Sequence, residues 1–532
     1  MRNSLLIHGG PILTMNRQQP EVEAVGIVNK RIVATGSLSD VRSRIGSNVD
    51  EVDLKGRTAV PGFYDAHAHI MGVGFAAAEI DLTPDAVSSI EEIASLVKER
   101  AASQPAGSWV LGRGYDQAML AEGRIPTRHD IDAVSPDHPV ILRRMCHHIV
   151  TANSKALELA GITRNSPDPD DGTIDRDEHG EPTGVLRESA MDPLFDAMGE
   201  ATEDEIVDAL KLGGNLFRQH GVTSAGEAGI GRKEELRAYQ RAHASGDLAL
   251  RTWLMMRIDD TLDELIELGI MTGFGDEWMR IGNAKLFADG SIGGRTARMS
   301  KPYEGETDNF GIYMYPPENI IEKIIRAHKA GFQLGNHAIG DAAISTLLDG
   351  YEAALREKPV DDPRFRIEHC SILSPELIDR IEKLGVIPIP GTTFLYDMRP
   401  VYLENLGEER VRYAYAMKTF SDRGIVAAAS TDAPVSGVNP MVGIQMMVTR
   451  TDRLGDEIFP EERVSLEEAI RAYTWNGAYA SFSEHEKGSL EPGKLGDVTV
   501  LETDLRSVNP LELRNVRCDM TIADGNVVFE RN

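Results

Sequence analysis

Cysteine is scarce in this sequence. Only three cysteines occur among 532 residues, Cys146, Cys370 and Cys518, and they lie far apart. Such a set indicates no disulfide framework and suits a reducing compartment. The first residues contain too short an apolar stretch for a secretory signal. No run approaches the roughly 18 apolar residues that span a bilayer. We therefore expect a cytoplasmic protein.

Basic side chains are also few relative to acidic ones. Lys and Arg total 56 against 84 Asp and Glu, which gives a net charge of -28. This balance argues against nucleic acid or an anionic membrane as a partner. A well-solvated acidic surface explains the charge, and adaptation to high salt is a second explanation. The 41% hydrophobic and 26% charged content is ordinary for a globular protein.

The sequence does contain a β-rich segment at each end. Short strand patterns, broken by Asn-Lys and Asp-Gly turns, fill residues 1–57 and 484–532. Asp-Gly between apolar alternations is a strong hairpin signal. We expect the two ends to assemble into one small β-sandwich, with residues 58–483 forming a separate domain between them.

Strands and amphipathic helices alternate in that middle region. Helix starts are marked by Pro316-Pro317, by the N-cap Ser374 before a proline, and by a capping box at Ser465. Eight strands with intervening helices is the count of a (β/α)8 barrel of the TIM type, an α/β fold. The predicted strands are residues 58–66, 221–227, 249–258, 279–288, 332–338, 364–370, 385–391 and 424–431.

The gap between the first two predicted strands is too long for one crossover. It holds its own helices, one opening with a capping box at Ser89, and a Pro/Asp-rich loop at 165–172. We interpret residues from about 75 to 205 as a subdomain inserted over the barrel mouth.

Residues that can bind metal recur where the predicted strands end. His67 and His69 end the first strand, and one spacer puts both side chains on the same face of an extended chain. In a barrel, function lies at the carboxyl ends of the strands. Nitrogen and oxygen donors of this kind suit zinc, and also iron or manganese. The donors at later strand ends are Lys285, His337, His369 and Asp432.

Each of these residues also has an ordinary structural explanation. A single His at a strand end is more often hydrogen-bonded structure than a ligand. Lys285 could pair with an acid or extend its amine to solvent. Asp432 could form a turn or cap a helix. The recurrence of such residues at five strand ends is what favours a metal site.

These motifs resemble the amidohydrolase superfamily, in particular its YtcJ-like branch, which includes N-substituted formamide deformylase. The resemblance covers essentially the whole chain, and a tail motif at 488–497 resembles the family's return strand into the β domain. The matching segments are 61–69 (PGFYDAHAH), 285–291 (KLFADGS), 336–341 (NHAIGD), 367–369 (IEH) and 430–434 (STDAP).

The resemblance implies two divalent metal ions, with zinc expected and iron or manganese as alternatives. In such a site His67 and His69 hold one ion and His337 and His369 the other. Lys285 bridges the two ions as an N6-carboxylated lysine. A lysine whose pKa is depressed by burial beside cations can capture carbon dioxide in this way.

The resemblance also implies that Asp432 binds a metal ion and acts as general base and acid. Asp432 would take a proton from a water molecule held between the metals, which leaves a hydroxide. It would later pass that proton to the leaving amine. The predicted reaction is hydrolysis of a C–N amide-type bond, other than a peptide bond, of a small organic substrate such as an N-substituted formamide. A mononuclear deaminase or cyclic-amide hydrolase is an alternative, and a non-catalytic scaffold is a third.

Four further residues are candidates for substrate contact. By the resemblance, His148 matches a histidine of the branch's insertion motif, and a structural hydrogen bond is the alternative role. Tyr115 and Asp116 could line the pocket or pack a loop. Arg295 could clamp an anionic group or close its loop with an acid. A homodimer is the assembly that relatives suggest.

Overall fold

The computed structural model describes residues 4–46, 48–146 and 148–531. The chain divides into two compact units: Met1–Val73 together with Gly213–Asn532, and Gly74–Leu212. The outermost residues of the predicted β-sandwich, 1–3 and 532, lie outside the described part. Within that part, no helix combines the length and the apolar character needed to cross a membrane.

Strands and helices alternate through much of the chain. The strands are β1 (Ser4–Leu13), β2 (Glu21–Val28), β3 (Arg31–Gly36), β4 (Asp50–Asp53), β5 (Ala59–Pro61), β6 (Phe63–Ala68), β7 (Ile80–Asp81), β8 (Val110–Tyr115), β9 (Val140–Arg144), β10 (Ile149–Ala152), β11 (Gly172–Arg176), β12 (Pro182–Glu188), β13 (Val222–Ile230), β14 (Arg251–Arg257), β15 (Met279–Lys285), β16 (Gly335–Ala338), β17 (Arg366–His369), β18 (Ile387–Ile389), β19 (Val498–Leu501), β20 (Cys518–Ala523) and β21 (Asn526–Glu530).

The helices lie mostly between these strands. They are α1 (Leu38–Ile45), α2 (Ile70–Ala78), α3 (Ile90–Ser103), α4 (Arg128–Asp132), α5 (Ser154–Leu159), α6 (Asp192–Met198), α7 (Glu203–Gln219), α8 (Lys233–Ser245), α9 (Leu262–Glu267), α10 (Pro317–Lys329), α11 (Asp341–Glu357), α12 (Pro375–Leu384), α13 (Thr392–Val411), α14 (Met417–Asp422), α15 (Pro440–Thr449), α16 (Leu466–Ala472) and α17 (Trp475–Ala480).

Three predicted helix starts agree with the structure. Helix α10 has a proline at its first position, where the missing N–H costs no hydrogen bond. The Ser374 side chain accepts from the Leu377 N–H at the start of α12. Ser465 and Glu468 form a reciprocal capping box at α16.

The two chain ends share one eight-stranded sheet in the first unit. Its order is β21-β20-β19-β5-β1-β2-β3, and β4 pairs with β1. The ends meet where β19 runs antiparallel to β5, with Val498 opposite Pro61. Buried aliphatic residues from both ends, including Ile7, Ile27 and Val500, form one core cluster.

Parallel strands form the rest of this unit. One sheet has the order β15-β14-β13-β6 and another the order β16-β17-β18. Two parallel bridges, Ala284 to Leu334 and Phe287 to His337, join β15 to the second sheet. The carboxyl ends of these strands carry most of the candidate metal ligands.

The predicted eighth strand, residues 424–431, is not a regular strand. It runs beside β18: Ala428 N–H donates to the Pro388 carbonyl over 3.0 Å, and Ser430 N–H to the Pro390 carbonyl over 3.1 Å. In a parallel ladder the Ala428 carbonyl would accept from the N–H of residue 390, but that residue is a proline and has none. The same segment reaches β6, since Ala66 N–H donates to the Ala429 carbonyl over 3.2 Å.

The predicted first strand, residues 58–66, is two strands. Residues 59–61 belong to the sheet of the chain ends as β5, and β6 starts at Phe63 and belongs to the parallel sheet. Gly62 lies between them, and a Cβ there would lie 2.2 Å from the Thr223 hydroxyl oxygen. Pro61 and Gly62 thus allow the chain to pass from one sheet to the other.

The second unit, residues 74–212, has its own six-stranded sheet and core. The order is β11-β12-β10-β9-β8-β7. Strands β7, β8 and β9 are parallel, and the pairs that follow are antiparallel. The N-cap Ser89 accepts from Glu92 N–H at the start of α3, whose Ile93 and Val97 pack with Val110.

A buried cation joins the parallel strands to the sheet of the chain ends. The Arg251 side chain at the start of β14 donates to both Asp497 oxygens over 2.7 and 3.0 Å, and to Asp524 over 2.5 Å. Burial alone would raise the pKa of Asp497, but Arg251 outweighs burial and lowers it. Both carboxylates are buried, and Asp524 also pairs with Lys30 over 3.2 Å, so Asp497 is the carboxylate that depends most on this guanidinium.

We expect Arg251→Met to lower the free energy of unfolding by about 3–5 kcal/mol, because it leaves the buried Asp497 carboxylate without the cation that it pairs with. Urea denaturation at neutral pH measures the loss. Arg506→Met, at an exposed ion pair with Asp504 and Glu21, is the matched control and should hardly move the midpoint. Since the folded pKa of Asp497 is depressed, its contribution is present at neutral pH and lost as the pH falls below about 4. An unchanged midpoint in Arg251→Met would contradict this account.

Candidate metal centre

Three of the predicted ligands converge at the end of β6. His67 is buried within β6, and His69 is the first residue after the end of that strand. The Asp432 Oδ1 atom lies 3.2 Å from His69 Nε2 and 3.5 Å from His67 Nε2. One ligand atom from each of the three residues lies within 4.8 Å of the others. A single cation could therefore contact all three.

A buried carboxylate fixes the tautomer of His67. His67 Nδ1 lies 2.6 Å from Glu368 Oε2. Glu368 is fully buried and also accepts from Arg366 Nε over 2.9 Å. Because an ionised carboxylate only accepts, Nδ1 carries the proton and Nε2 keeps a free lone pair. Burial lowers the pKa of His67 well below its usual value, so the ring is neutral and able to bind a metal.

Backbone geometry aims Asp432 at the two histidines. Its φ is +56°, in the left-handed region, and its N–H donates to the His67 carbonyl over 2.9 Å. The preceding Thr431 donates its N–H to Asp65 over 3.0 Å. Asp65 is itself buried on β6, and burial raises its pKa to about 7. The segment that carries Asp432 is thus tied to the strand that carries His67.

His337 and His369 lie beside this group. The ring centroid of His369 is 4.9 Å from that of His67 and 4.5 Å from that of His337. Burial lowers the pKa of His337 to about 3 and that of His369 well below its usual value. His337 Nε2 lies 3.1 Å from the Gly290 carbonyl, to which it can only donate, so Nδ1 is left as the acceptor.

Lys285 ends β15 inside the protein. Its amine is buried, lies 4.8 Å from the centroid of the Phe287 ring, and has no hydrogen-bond partner in the described part of the chain. Burial lowers the pKa of Lys285 to about 8. A buried amine without a partner is costly, so this position favours a neutral or a chemically modified group.

The donor atoms fit a metal ion. Among the described residues, three buried polar atoms here accept or donate no hydrogen bond: Lys285 Nζ, His369 Nδ1 and Asp432 Oδ1. Asp432 Oδ1 lies within ion-pair distance of His69; burial opposes the charged form of that ring, but the nearby carboxylate raises its pKa. Neutral imidazoles and a carboxylate are the donors that zinc and related ions take.

Comparison with known proteins identifies the family. The Amidohydrolase family profile matches residues 50–529. YtcJ of Bacillus subtilis (strain 168) is 31% identical, with 99% of each chain covered. The chain belongs to the amidohydrolase family. Within that family it lies on the YtcJ-like branch, as the sequence predicted.

Two further relatives of this amidohydrolase are informative. The N-substituted formamide deformylase of Arthrobacter pascens is 28% identical over 100% of this chain and 99% of its own. The crystal structure of an uncharacterised metal-dependent hydrolase from Pyrococcus furiosus superposes with a TM-score of 0.79. It is 30% identical and covers 96% of this chain and 100% of its own.

The predicted substrate residues of the amidohydrolase occupy varied environments. In the second unit, the buried Tyr115 hydroxyl lies 3.2 Å from Thr151 Oγ1, Asp116 pairs with Arg144 over 3.1 Å, and the exposed His148 lies 2.8 Å from Glu188. In the first unit, Arg295 pairs with Glu306 and donates to Asn405. The Arg295 contacts are those of the loop-closing alternative, and the substrate roles of all four stay predictions.

Sequence reasoning missed the residues that support the amidohydrolase centre. Glu368 was read only as part of the motif with His369, and Arg366 and Asp65 were not singled out. A buried charge inside an apolar strand is the signal that could have found them, because such charges need a partner. Asp289 is a fourth case: it accepts from Arg298, Ile339 and Gly340 N–H groups over 2.8, 3.0 and 2.8 Å, joining the segments after β15 and β16.

Proposed function

We propose that this amidohydrolase uses divalent metal to hydrolyse a C–N amide-type bond of a small organic substrate. The observation that carries the proposal is the convergence of His67, His69 and Asp432 within 4.8 Å at the end of β6. The donor set and the unpartnered buried atoms beside it support a metal ion there. When bound, such an ion polarises a carbonyl oxygen and makes water more acidic.

We also propose the arrangement that supports this chemistry. The strands β6 and β13 to β18, with the segment at 429–432, would close into a (β/α)8 barrel. The two chain ends would form a β-sandwich, and the second unit would be inserted after the first barrel strand. Backbone hydrogen bonds that join residues 428–432 to β18 and to β6 support closure. Catalytic groups at carboxyl strand ends are usual for such a barrel.

Asp432 is the proposed proton carrier. Its Oδ1 is buried and accepts no hydrogen bond within the described chain, so it is free to take a proton from water and return it to the departing amine. Glu368 holds His67 in the tautomer that leaves Nε2 available. His67 and His369 are neutral because burial depresses their pKa values.

The number of metal ions separates two versions of the proposal. In the two-ion version, His337 and His369 hold a second ion, and Lys285 joins the pair as a carbamate. The unpartnered Lys285 amine and His369 Nδ1 support it. In the one-ion version, the protein is a deaminase or cyclic-amide hydrolase. Its support is that, within the described ranges of the chain, the converging group consists of His67, His69 and Asp432, while His337 Nε2 is already engaged by Gly290.

A substrate panel tests the proposed function. Metal-loaded protein is incubated with N-substituted formamides, acylated amino acids, lactams and aryl amides, and the released amine is measured. The formamides come first because of the Arthrobacter pascens relative. Release of amine by the metal-loaded protein, but not by the metal-free protein, supports the proposal. Release of ammonia from an amino-substituted ring would favour the deaminase version. No product from any class by metal-loaded protein would refute both.

Glu368→Gln should weaken metal binding about 10- to 100-fold, because an amide cannot hold His67 in the required tautomer as a carboxylate does. Competition with a chromophoric chelator measures the affinity. The thermal midpoint of the metal-free variant is measured alongside, so that loss of binding is distinguished from loss of fold. Glu382→Gln, at an exposed pair with Arg423, is the control. Unchanged metal affinity in Glu368→Gln would show that this carboxylate does not position the ligand.

A further inference from the structure

A cavity lies at the opposite end of the parallel strands from the candidate metal centre. Its volume is about 360 Å³, within the range of small-molecule pockets. Trp253 and Arg280 line it near the amino ends of β14 and β15, and Gln333 and Phe365 line it just before β16 and β17. Gln333 lies four positions before His337 on the segment that leads into β16, a distance of about 13 Å at 3.3 Å per residue. The cavity is therefore separate from the catalytic end.

Five of the residues that line the cavity carry aromatic rings. Phe332, Phe365 and Trp253 are buried side chains that line it, and Phe482 lies at its edge. His328 adds a fifth ring, whose centroid lies 5.1 Å from that of Phe365 in an edge-to-face arrangement. Aromatic rings in such walls favour flat apolar ligands.

The buried hydrogen-bond donors of the wall are already used. Trp253 Nε1 donates to Asn283 over 3.1 Å, and the Thr272 hydroxyl donates to the Gly282 carbonyl over 2.7 Å. The Ser481 hydroxyl lies 3.1 Å from the Gly477 carbonyl. At the rim, Arg280 pairs with Glu486 over 2.8 Å, and the Lys358 amine donates to the Lys329 carbonyl over 3.1 Å.

Two buried side chains of the wall, Gln333 and His328, offer acceptors; Asp362 also lines the cavity, but it is exposed and accepts from Arg364 over 2.8 Å. The Gln333 amide nitrogen donates to the carbonyls of Arg364 and Ala480 over 2.6 and 2.9 Å, which fixes the orientation of the amide. Its Oε1 is buried and has no hydrogen-bond partner in the described chain. His328 Nε2 lies 2.7 Å from the Lys358 carbonyl and must donate to it, so Nδ1 is the acceptor of that ring.

From this we infer that the cavity is a second binding site, for a small neutral aromatic molecule that carries an N–H donor. The ring would lie against Phe332, Phe365 and Trp253, and the donor would meet the unpartnered Oε1 of Gln333. An unsatisfied buried acceptor favours a ligand with a donor over an isostere that lacks one.

Calorimetric titration of the metal-loaded protein with indole tests the inference, with N-methylindole as the matched ligand that lacks the donor. We expect saturable binding of one indole per chain and about tenfold weaker binding of N-methylindole. Absence of saturable indole binding would overturn the site. Equal affinity for the two ligands would overturn the assigned role of Gln333.

Substitutions at the rim locate the bound indole. Val360 and Met271 line the cavity with 44% and 55% of their surface exposed, so a larger side chain is tolerated by the fold. Val360→Trp and Met271→Trp should each weaken indole binding at least about tenfold by filling the entrance. Leu268→Trp is the control, since Leu268 is 73% exposed and does not line the cavity. Indole affinity unchanged in both rim variants would place the ligand elsewhere and refute the inference.

Discussion

Asp432→Asn should lower kcat by about 10³-fold while the protein keeps its metal. General acid–base catalysis contributes about 10²- to 10⁴-fold, and an amide cannot carry the proton. The substitution is mild in every other respect. Asn retains an oxygen at the same place, and it tolerates the left-handed backbone that the φ of +56° at this position requires.

Metal content and the thermal midpoint are the controls for this variant. Both should stay close to those of the unaltered protein, because Asp432 N–H still donates to the His67 carbonyl and Thr431 still donates to Asp65. A metal-loaded Asp432→Asn protein with kcat within about tenfold of the original would assign the proton transfer to another group.

Removal of the metal should lower the rate of hydrolysis to less than about one thousandth of its original value. Addition of a divalent ion should restore the rate. Lewis-acid stabilisation of developing negative charge accounts for several kcal/mol, and each 1.4 kcal/mol is about tenfold in rate. Dialysis against dipicolinate followed by zinc, manganese or iron(II) measures loss and recovery. Recovery is expected to differ among the ions, since a nitrogen-rich donor set discriminates between them.

Two controls make the metal experiment interpretable. The metal-free protein should retain its fold, because the supporting pairs Arg366–Glu368 and Asp65–Thr431 do not involve metal. Circular dichroism and the thermal midpoint check this point. Full hydrolytic activity in protein verified as metal-free would refute the proposed chemistry.

The convergence of His67, His69 and Asp432 could be predicted because the signal of each candidate ligand is local. Each stands at the end of an apolar strand pattern, and the ends of parallel strands meet at one edge. The two strand predictions that failed depended on the prolines. Pro388 and Pro390 have no N–H to donate, so the segment at 424–431 cannot form a regular ladder with β18. Pro61 and Gly62 lie where the predicted first strand passes from one sheet to another.

The supporting residues could not be predicted because their partners are distant in sequence. Alternation along a strand would place Glu368 and His369 on opposite faces. His369 instead has a φ of +67°, which breaks the alternation and brings both residues to His67. The cavity near Gln333 is a similar case, since its walls come from residues between 253 and 482 that share no motif.

Metal per chain, measured by elemental analysis on protein purified with bicarbonate and without chelator, tests the central claim most directly. The unaltered protein should carry metal, with close to two ions supporting the Lys285-bridged pair and close to one supporting the mononuclear version. The double variant His67→Ala, His69→Ala should lose the ion that Asp432 shares with these histidines. Protein that binds no metal even after reconstitution with zinc or manganese would contradict the account, as would a double variant that binds as much as the original.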